Sequence, residues 1–274
     1  MDYGSETTEN DKRETPKTQA VEGGPEGPQP SMWKVIRASL DDALALLRSE
    51  WSWVLALFAI SLALSGLSAV TAQSANGGRS GLPFLFSALS QLLCLPFTLR
   101  FCAKLLGIES PTSLSSQIWP RIIGWSIFCI VLTQIGHAGA LPSPLPSPVT
   151  GIMFVGSIYF RTRLLALYPA LLSWPEWPGI DRIWNPSGRF VLPLIGCGIA
   201  IYLPISIGVL LILIGVSGVS PFHQNAAAAN AQFYAAIRHL APYLAVVQAV
   251  LQTALTVFSA ALMVRIFRLI ARRG

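Results

Sequence analysis

Histidine is the residue type in this chain best suited to bind a metal ion or to titrate near neutral pH. The chain has three, His137, His223 and His239, and the topology derived below places all of them on the outer side of a membrane. Imidazoles gathered on one face could hold a metal ion. Because the chain has no H-E-x-x-H run, we interpret the three as unrelated interfacial residues and predict no metal site.

Catalytic chemistry needs titratable groups that face each other, and this chain has few of them. Of its 13 acidic residues, only Glu109, Glu176 and Asp181 lie beyond residue 50, and each falls between apolar segments. No serine has a histidine and an acid on the same side, and no G-x-S-x-G or Walker-type run occurs. We therefore predict a protein that is not an enzyme and uses no cofactor. The lack of carboxylates within apolar segments also disfavours transport coupled to protons or sodium ions.

Two amides, Gln248 and Gln252, lie four residues apart in an apolar segment and so share one face of a helix. Such a polar face can line a passage through a membrane. Amides in membrane helices more often hydrogen-bond a neighbouring helix. We favour the second interpretation and keep the first as an alternative.

The composition of the 274-residue chain is that of a membrane protein. Hydrophobic residues make up 53% of it and charged residues 12%, roughly half the charged share of a soluble domain, and the mean hydropathy is +0.56. The net charge of +6 comes from basic residues scattered at the ends of apolar segments, where orientation signals lie. The predicted partner is therefore the lipid bilayer, and no nucleic acid is expected.

The first 50 residues divide into two parts. Residues 1–30 are rich in Pro, Gly, Glu and Thr, which predicts a disordered cytoplasmic tail. In residues 31–50 large apolar residues recur every three or four positions, which predicts an amphipathic helix lying on the inner membrane surface. The alternative is a helix packed on the membrane spans. The apolar residues are Trp33, Ile36, Leu40, Leu44, Leu47 and Trp51.

Six apolar runs follow, each long enough to cross a hydrocarbon core of ~30 Å as a helix. We therefore predict an all-α fold in which residues 31–274 form one membrane domain of six transmembrane helices plus the interfacial helix. The alanine-rich stretch 221–239 is predicted to form a separate short helix on the outer surface. The predicted spans are residues 51–72, 82–99, 120–138, 146–166, 190–217 and 242–267.

Basic residues predict the orientation of this bundle, because they collect on the cytoplasmic side of a membrane. With six spans, all 19 lysines and arginines except Arg79 and Arg238 fall on the side of the N-terminus. All eight tryptophans also fall on or near that side, where indoles act as interfacial anchors. We therefore place both termini in the cytoplasm.

The segment from Tyr159 to Arg189 is the largest basic, tryptophan-rich connection. It is predicted to lie flat on the cytoplasmic leaflet and to bind an anionic lipid or a protein partner. Alternatively, its tryptophans pack on the helix over 31–50. Arg161 falls inside the fourth apolar run, so it either snorkels to the interface or marks a functional site at depth. The predicted site residues are Arg161, Arg163, Trp174, Trp177, Arg182, Trp184 and Arg189, with Gln248 and Gln252 as the possible polar face.

Four short stretches of this segment resemble a known family. They are Tyr159-Phe160-Arg161-Thr162-Arg163-Leu164, Tyr168-Pro169-Ala170, Ile183-Trp184 and Gly188-Arg189. Together they look like a loose family of bacterial six-span inner-membrane proteins, similar to the membrane domain that accompanies some glycerophosphodiester phosphodiesterases. The chain departs from that pattern in its insert WPEWPG. The resemblance implies a six-span fold and the bacterial inner membrane, and it implies no activity.

These observations predict a non-enzymatic accessory or scaffold protein of the bacterial inner membrane. It would bind a membrane-protein partner or an anionic lipid through its cytoplasmic face. The alternative is an uncoupled transporter or channel for a lipid or a small neutral solute, suggested by the Gln248 and Gln252 face and by the prolines of the fifth span.

Overall fold

The computed structural model describes residues 31–74, 82–108, 118–140, 147–174, 179–217 and 226–272. All regular structure in these ranges is α-helical. The predicted tail over residues 1–30 lies outside the described residues. The helices are α1 (Met32–Ser49), α2 (Trp51–Ser74), α3 (Leu82–Leu106), α4 (Ile118–Ala140), α5 (Ser147–Arg163), α6 (Leu167–Ser173), α7 (Asp181–Ser217) and α8 (Ala226–Ala271).

Each of the six predicted spans falls largely within one helix, namely α2, α3, α4, α5, α7 or α8. Three stretches of the described residues are helical, long and apolar enough to cross a membrane: Trp51–Ser68, Ala88–Leu106 and Leu240–Ala271. A further apolar stretch, Ile118–Val131, is shorter. The prediction of an all-α fold is confirmed, and the three stretches indicate a protein associated with a membrane.

Helix α8 is the centre of the packing. It is 46 residues long and contacts α1, α2, α3, α6 and α7. Most of its buried residues are one, three or four positions apart, so they form a broad stripe along one side of the helix. Several are alanines, whose small side chains let neighbouring backbones approach closely. The stripe consists of Ala245, Ala249, Thr253, Thr256, Val257, Ala260, Ala261, Val264, Phe267 and Ile270.

Helix α1 packs on α8 through a face other than the apolar face that is predicted to lie on the membrane. Most of the predicted apolar face is exposed, with Trp33 at 71% and Leu44 at 52%. A salt bridge fixes the contact, because Arg265 of α8 donates two hydrogen bonds to Asp42, one of them 2.7 Å long from Nη2 to Oδ1. Helix α1 therefore has a packed face and a separate exposed apolar face. The buried residues of α1 are Val35, Ile36, Ser39, Ala43 and Leu46.

Several helices come together at one end of the structure, where salt bridges link them. Glu50, between α1 and α2, pairs with Arg100 at 3.4 Å and Lys104 at 3.3 Å near the end of α3. We define the packed end as the end of α1, the starts of α2, α4 and α7, the ends of α3, α5 and α8, and α6. Its most deeply buried residues are Leu46, Phe101, Cys102, Ile122, Ala170, Ile183, Val264 and Ile266.

Two predicted elements differ from the structure. The separate outer helix over 221–239 is instead the beginning of α8, which starts at Ala226 and continues through Pro242. Strong helix formers on the N-terminal side of this proline sustain the helix, although the proline removes one backbone hydrogen bond. The inner segment is also not simply a flat loop, because it contains α6, which buries Leu167, Ala170 and Leu171.

Leucine in place of Ala261 is expected to destabilise the protein, because Ala261 is fully buried in the α8 stripe. Overpacking of this kind costs about 1–3 kcal/mol, and it should lower the midpoint of thermal unfolding in detergent. The matched control is Ala254→Leu, since Ala254 is exposed on the same helix. Equal midpoints for the two variants would contradict the role of α8 as the packing centre.

Candidate functional site

A groove of ≈ 570 Å³ opens at the packed end between the end of α6, the start of α7 and the end of α8. Arg182 and Arg189 are seven residues apart on α7, which is about two helical turns, so they project from the same face. Both are exposed. The groove is lined by Trp174, Asp181, Arg182, Asn185, Pro186, Arg189, Ile270 and Ala271.

Trp174 forms one wall of the groove and is held from two sides. Its ring packs edge-on against Phe267 of α8, with 5.2 Å between the ring centroids. The Arg182 guanidinium lies over the indole, 5.4 Å from the ring centroid. A guanidinium over an indole is held by a cation–π attraction, so the charge of Arg182 stays beside Trp174.

The groove has an excess of positive charge. Among its lining residues Asp181 supplies the acidic group. In the described part of the chain the salt bridges use Asp42 and Glu50, and neither Arg182 nor Arg189 takes part in one. Guanidinium groups bind phosphate and carboxylate oxygens in a bidentate manner. The groove is therefore suited to an anionic group.

Arg163 lies in a second cluster, between α5 and α7. Its guanidinium carbon is 4.5 Å from the Trp184 ring centroid and 5.7 Å from that of Tyr159. Gly188, one turn beyond Trp184, provides the space, because a Cβ at this position would overlap Nη1 of Arg163. Arg163 is thus stacked between helices and does not line the groove.

A cavity of ≈ 430 Å³ lies among α3, α4, α5, α6 and α8. Arg161 and Gln252 both line it. The Gln252 amide donates to the Cys94 thiol sulfur at 3.9 Å. Arg161 is in the last turn of α5 and is exposed, so it stands at the edge of the cavity and not at mid-helix.

Tyr168 of α6 joins the cavity wall through its hydroxyl, which is 3.0 Å from Ser126 Oγ. Burial raises the pKa of Tyr168 to about 12. The phenol is therefore protonated at physiological pH and can act as a hydrogen-bond donor.

The predicted site residues are divided among three places. Gln248 is exposed on α8 and does not line the cavity, and Trp177 lies outside the described residues. The alternative prediction placed the tryptophans on the helix over 31–50, but the ring contacts described above are with α8 and α5. The groove contains Trp174, Arg182 and Arg189, the stack contains Arg163 and Trp184, and the cavity wall contains Arg161 and Gln252.

The hydroxyl residues of the cavity wall were not predicted as site residues. Thr256 and Ser259 follow Gln252 on α8 at intervals of four and three, and all three line the cavity. This continuation of the Gln252 face is the signal in the sequence that indicates a polar cavity. The facing hydroxyls of α3, α4 and α5 have no such signal, because their proximity depends on the packing of separate helices.

This sequence matches no family model, and no curated protein or solved structure is significantly similar to it. The resemblance to the membrane domain of glycerophosphodiester phosphodiesterases gains no support from these comparisons and stays a prediction. Among the described residues, no three His, Cys, Asp or Glu side chains lie together in a group that could hold a metal ion. His223 and the side chains of His137 and His239 lie outside the described part. The function must be argued from the groove and the cavity.

Alanine in place of Gly188 is expected to displace Arg163 from Trp184. The matched control is Gly196→Ala on the same helix, where an added Cβ meets nothing within 4 Å. Both changes raise the helix propensity equally, so the difference in stability between the two variants measures the contribution of the contact between Arg163 and Trp184. We expect Gly188→Ala to be less stable than the control by about 0.5–2 kcal/mol, the value of a cation–π contact. Thermal unfolding in detergent measures this, and equal stability would show that the stack contributes nothing.

Proposed function

We propose that this protein is a multi-pass protein of the bacterial inner membrane that binds an anionic lipid through the groove at its packed end. In this proposal the packed end faces the cytoplasm and the role is accessory, without catalysis. The supporting observation is the continuity of a basic stripe and an apolar stripe along α7. Arg182 and Arg189 line the groove, and Leu192 follows Arg189 by three residues, nearly one turn further along.

The apolar stripe is unusually open. Leu192 is 80% exposed, and Ile199 and Leu203 follow it at intervals of seven and four with 57% and 55% exposed. These intervals keep all three on one side of the helix. An anionic lipid carries the complementary groups in the same order, because its charged headgroup is followed by apolar chains. An acidic protein segment would use the arginines and leave the apolar stripe uncovered, so we favour a lipid over a protein partner.

Six crossings are part of the proposal, and two observations support them. First, successive long helices alternate at the packed end: α2 begins there, α3 ends, α4 begins, α5 ends, α7 begins and α8 ends. Second, most basic residues of the described part gather at that end; the exceptions are Lys34 and Arg37 at the start of α1 and Arg238 in the N-terminal part of α8. An end that collects arginine and lysine is the cytoplasmic end by the positive-inside rule.

Replacing both groove arginines by glutamine is expected to weaken the binding of an anionic lipid. Each arginine near an anionic surface contributes about 1 kcal/mol, so the Arg182→Gln/Arg189→Gln variant should retain phosphatidate about tenfold to thirtyfold less. The measurement is native mass spectrometry of protein released from nanodiscs that contain phosphatidate and phosphatidylcholine in equal amounts. The matched control is Arg37→Gln/Arg48→Gln, which removes the same charge from exposed positions of α1.

The two variants separate a site from a diffuse charge effect. If the groove variant alone loses phosphatidate, the proposal stands. If both variants lose it equally, the groove has no special role and the proposal fails. Recovery of a protein whose binding requires Arg182 and Arg189, with unchanged lipid retention, would replace the lipid by a protein partner.

An uncoupled transporter or channel is the second candidate, because a cavity lined in part by polar side chains lies between the helices. Gln252 lines this cavity, in keeping with the passage-lining interpretation of this residue. Proteoliposomes should then release an entrapped neutral solute such as glycerol faster than protein-free liposomes, as followed by light scattering. Equal release rates would argue against this function and leave the lipid-binding proposal unaffected.

A further inference from the structure

The hydroxyl groups around the cavity have already used their protons. A serine or threonine hydroxyl has one proton to donate and two lone pairs that accept. Each of the five that line the cavity donates to a backbone carbonyl of its own helix, at distances between 2.7 and 3.1 Å. They are therefore acceptors toward anything in the cavity. These residues are Thr98, Ser126, Thr162, Thr256 and Ser259.

Tyr168 completes this pattern. Ser126 directs its proton to the Ile122 carbonyl at 2.7 Å, which leaves its lone pairs for the 3.0 Å contact with Tyr168, so the tyrosine serves as the donor there. The phenolic proton is thereby also committed. A ligand that hydrogen-bonds to these hydroxyls must bring its own donors, such as hydroxyl groups.

The charge of the cavity restricts the ligand further. Among the described residues that line it, Arg161 carries a charge and none is acidic. An ammonium group would meet the repulsion of Arg161 and no carboxylate to balance it. Trp125 also lines the cavity, and its indole N–H is buried without a hydrogen-bond partner in the described part of the chain. A guanidinium and an unpaired N–H are both donors suited to an anionic oxygen.

We propose that the cavity binds a hydroxyl-bearing phosphate ester. Its anionic oxygens contact Arg161 at the edge, and its hydroxyl groups donate to the ring of acceptor oxygens inside. This site is separate from the groove and does not depend on the proposed function. Two kinds of molecule carry a phosphate together with hydroxyl groups: the lipid phosphatidylglycerol, in its headgroup, and free glycerol phosphate.

The lipid source is tested by competition between phosphatidylglycerol and phosphatidate in nanodiscs, with native mass spectrometry of the released full-length protein. Phosphatidate has an anionic headgroup without the terminal hydroxyls. A preference for phosphatidylglycerol would therefore show that the acceptor oxygens of the cavity bind those hydroxyls. The free source is tested by the rise in unfolding temperature in detergent with glycerol phosphate, compared with inorganic phosphate at the same concentration. A preference for the hydroxylated ligand in either arm supports the site and identifies its source.

Variants of the lining residues test whether such a preference comes from the cavity, and the groove variant is the control. Arg161→Gln should weaken binding of the hydroxylated ligand about tenfold, as expected for loss of a charge-assisted contact. Thr256→Val removes one acceptor with little change in shape and should reduce the preference about fivefold. Ser259→Ala replaces this test if Thr256→Val does not fold. The groove variant Arg182→Gln/Arg189→Gln should leave the preference unchanged.

Two results would overturn the inference. One is equal binding of hydroxylated and plain phosphate in both arms. The other is a preference that survives Arg161→Gln, or that disappears in the groove variant alone. Failure of the groove variant to lose phosphatidate bears only on the proposed function, so the two proposals fail independently.

Discussion

The close approach of five helices to α8 is the constraint on which the rest of the structure depends. In a membrane, apolar side chains gain little by leaving lipid for protein, so helices associate through tight van der Waals packing and polar contacts. The fully buried Ala249, Ala260 and Ala261 allow such packing because their side chains end at Cβ. Larger residues at these positions would push α8 away from the helices that surround it.

Polar contacts concentrate where this packing is tightest. Asp42 with Arg265 holds α1 on α8, and Glu50 with Arg100 and Lys104 holds the start of α2 on the end of α3. Arg268 adds a hydrogen bond to the Leu105 carbonyl. These contacts neutralise the charges that lie between helices. Arg182 and Arg189 are left at the surface without carboxylate partners in the described part, which gives the groove its positive charge.

The arrangement of the two sites follows from the same packing. Phe267, in the α8 stripe, supports Trp174 and so fixes the wall of the groove. On the N-terminal side of Phe267, Gln252, Thr256 and Ser259 of α8 face the space between α3, α4 and α5. This space is the cavity. Helix α8 thus contributes one wall to the groove at the packed end and another to the cavity.

The sequence predicts the helices well because backbone polar groups in lipid can be satisfied only within helices or closed barrels, and six apolar runs are plain to see. It does not predict which faces pack on other helices. On α1 the most apolar stripe, with Trp33 and Leu44, is exposed, whereas the packed stripe contains Ser39 and Ala43. Hydrophobicity cannot separate lipid-facing from protein-facing residues, since both environments are apolar. The Arg163 stack and the cavity hydroxyls of α3, α4 and α5 could not be predicted, because their proximity depends on the packing of separate helices.

The proposed arrangement has six membrane crossings with the packed end in the cytoplasm. Single cysteines in a variant with its four native cysteines replaced by alanine test it directly, with a membrane-impermeant thiol reagent applied to intact cells. Probes at Ala75, Pro144 and Ser220, in the connections after α2, α4 and α7, should be labelled. Probes at the exposed Ser49 and Ile180 of the packed end should be labelled only after the cells are lysed. Labelling of Ile180 in intact cells would contradict the orientation and, with it, the cytoplasmic placement of the lipid-binding groove.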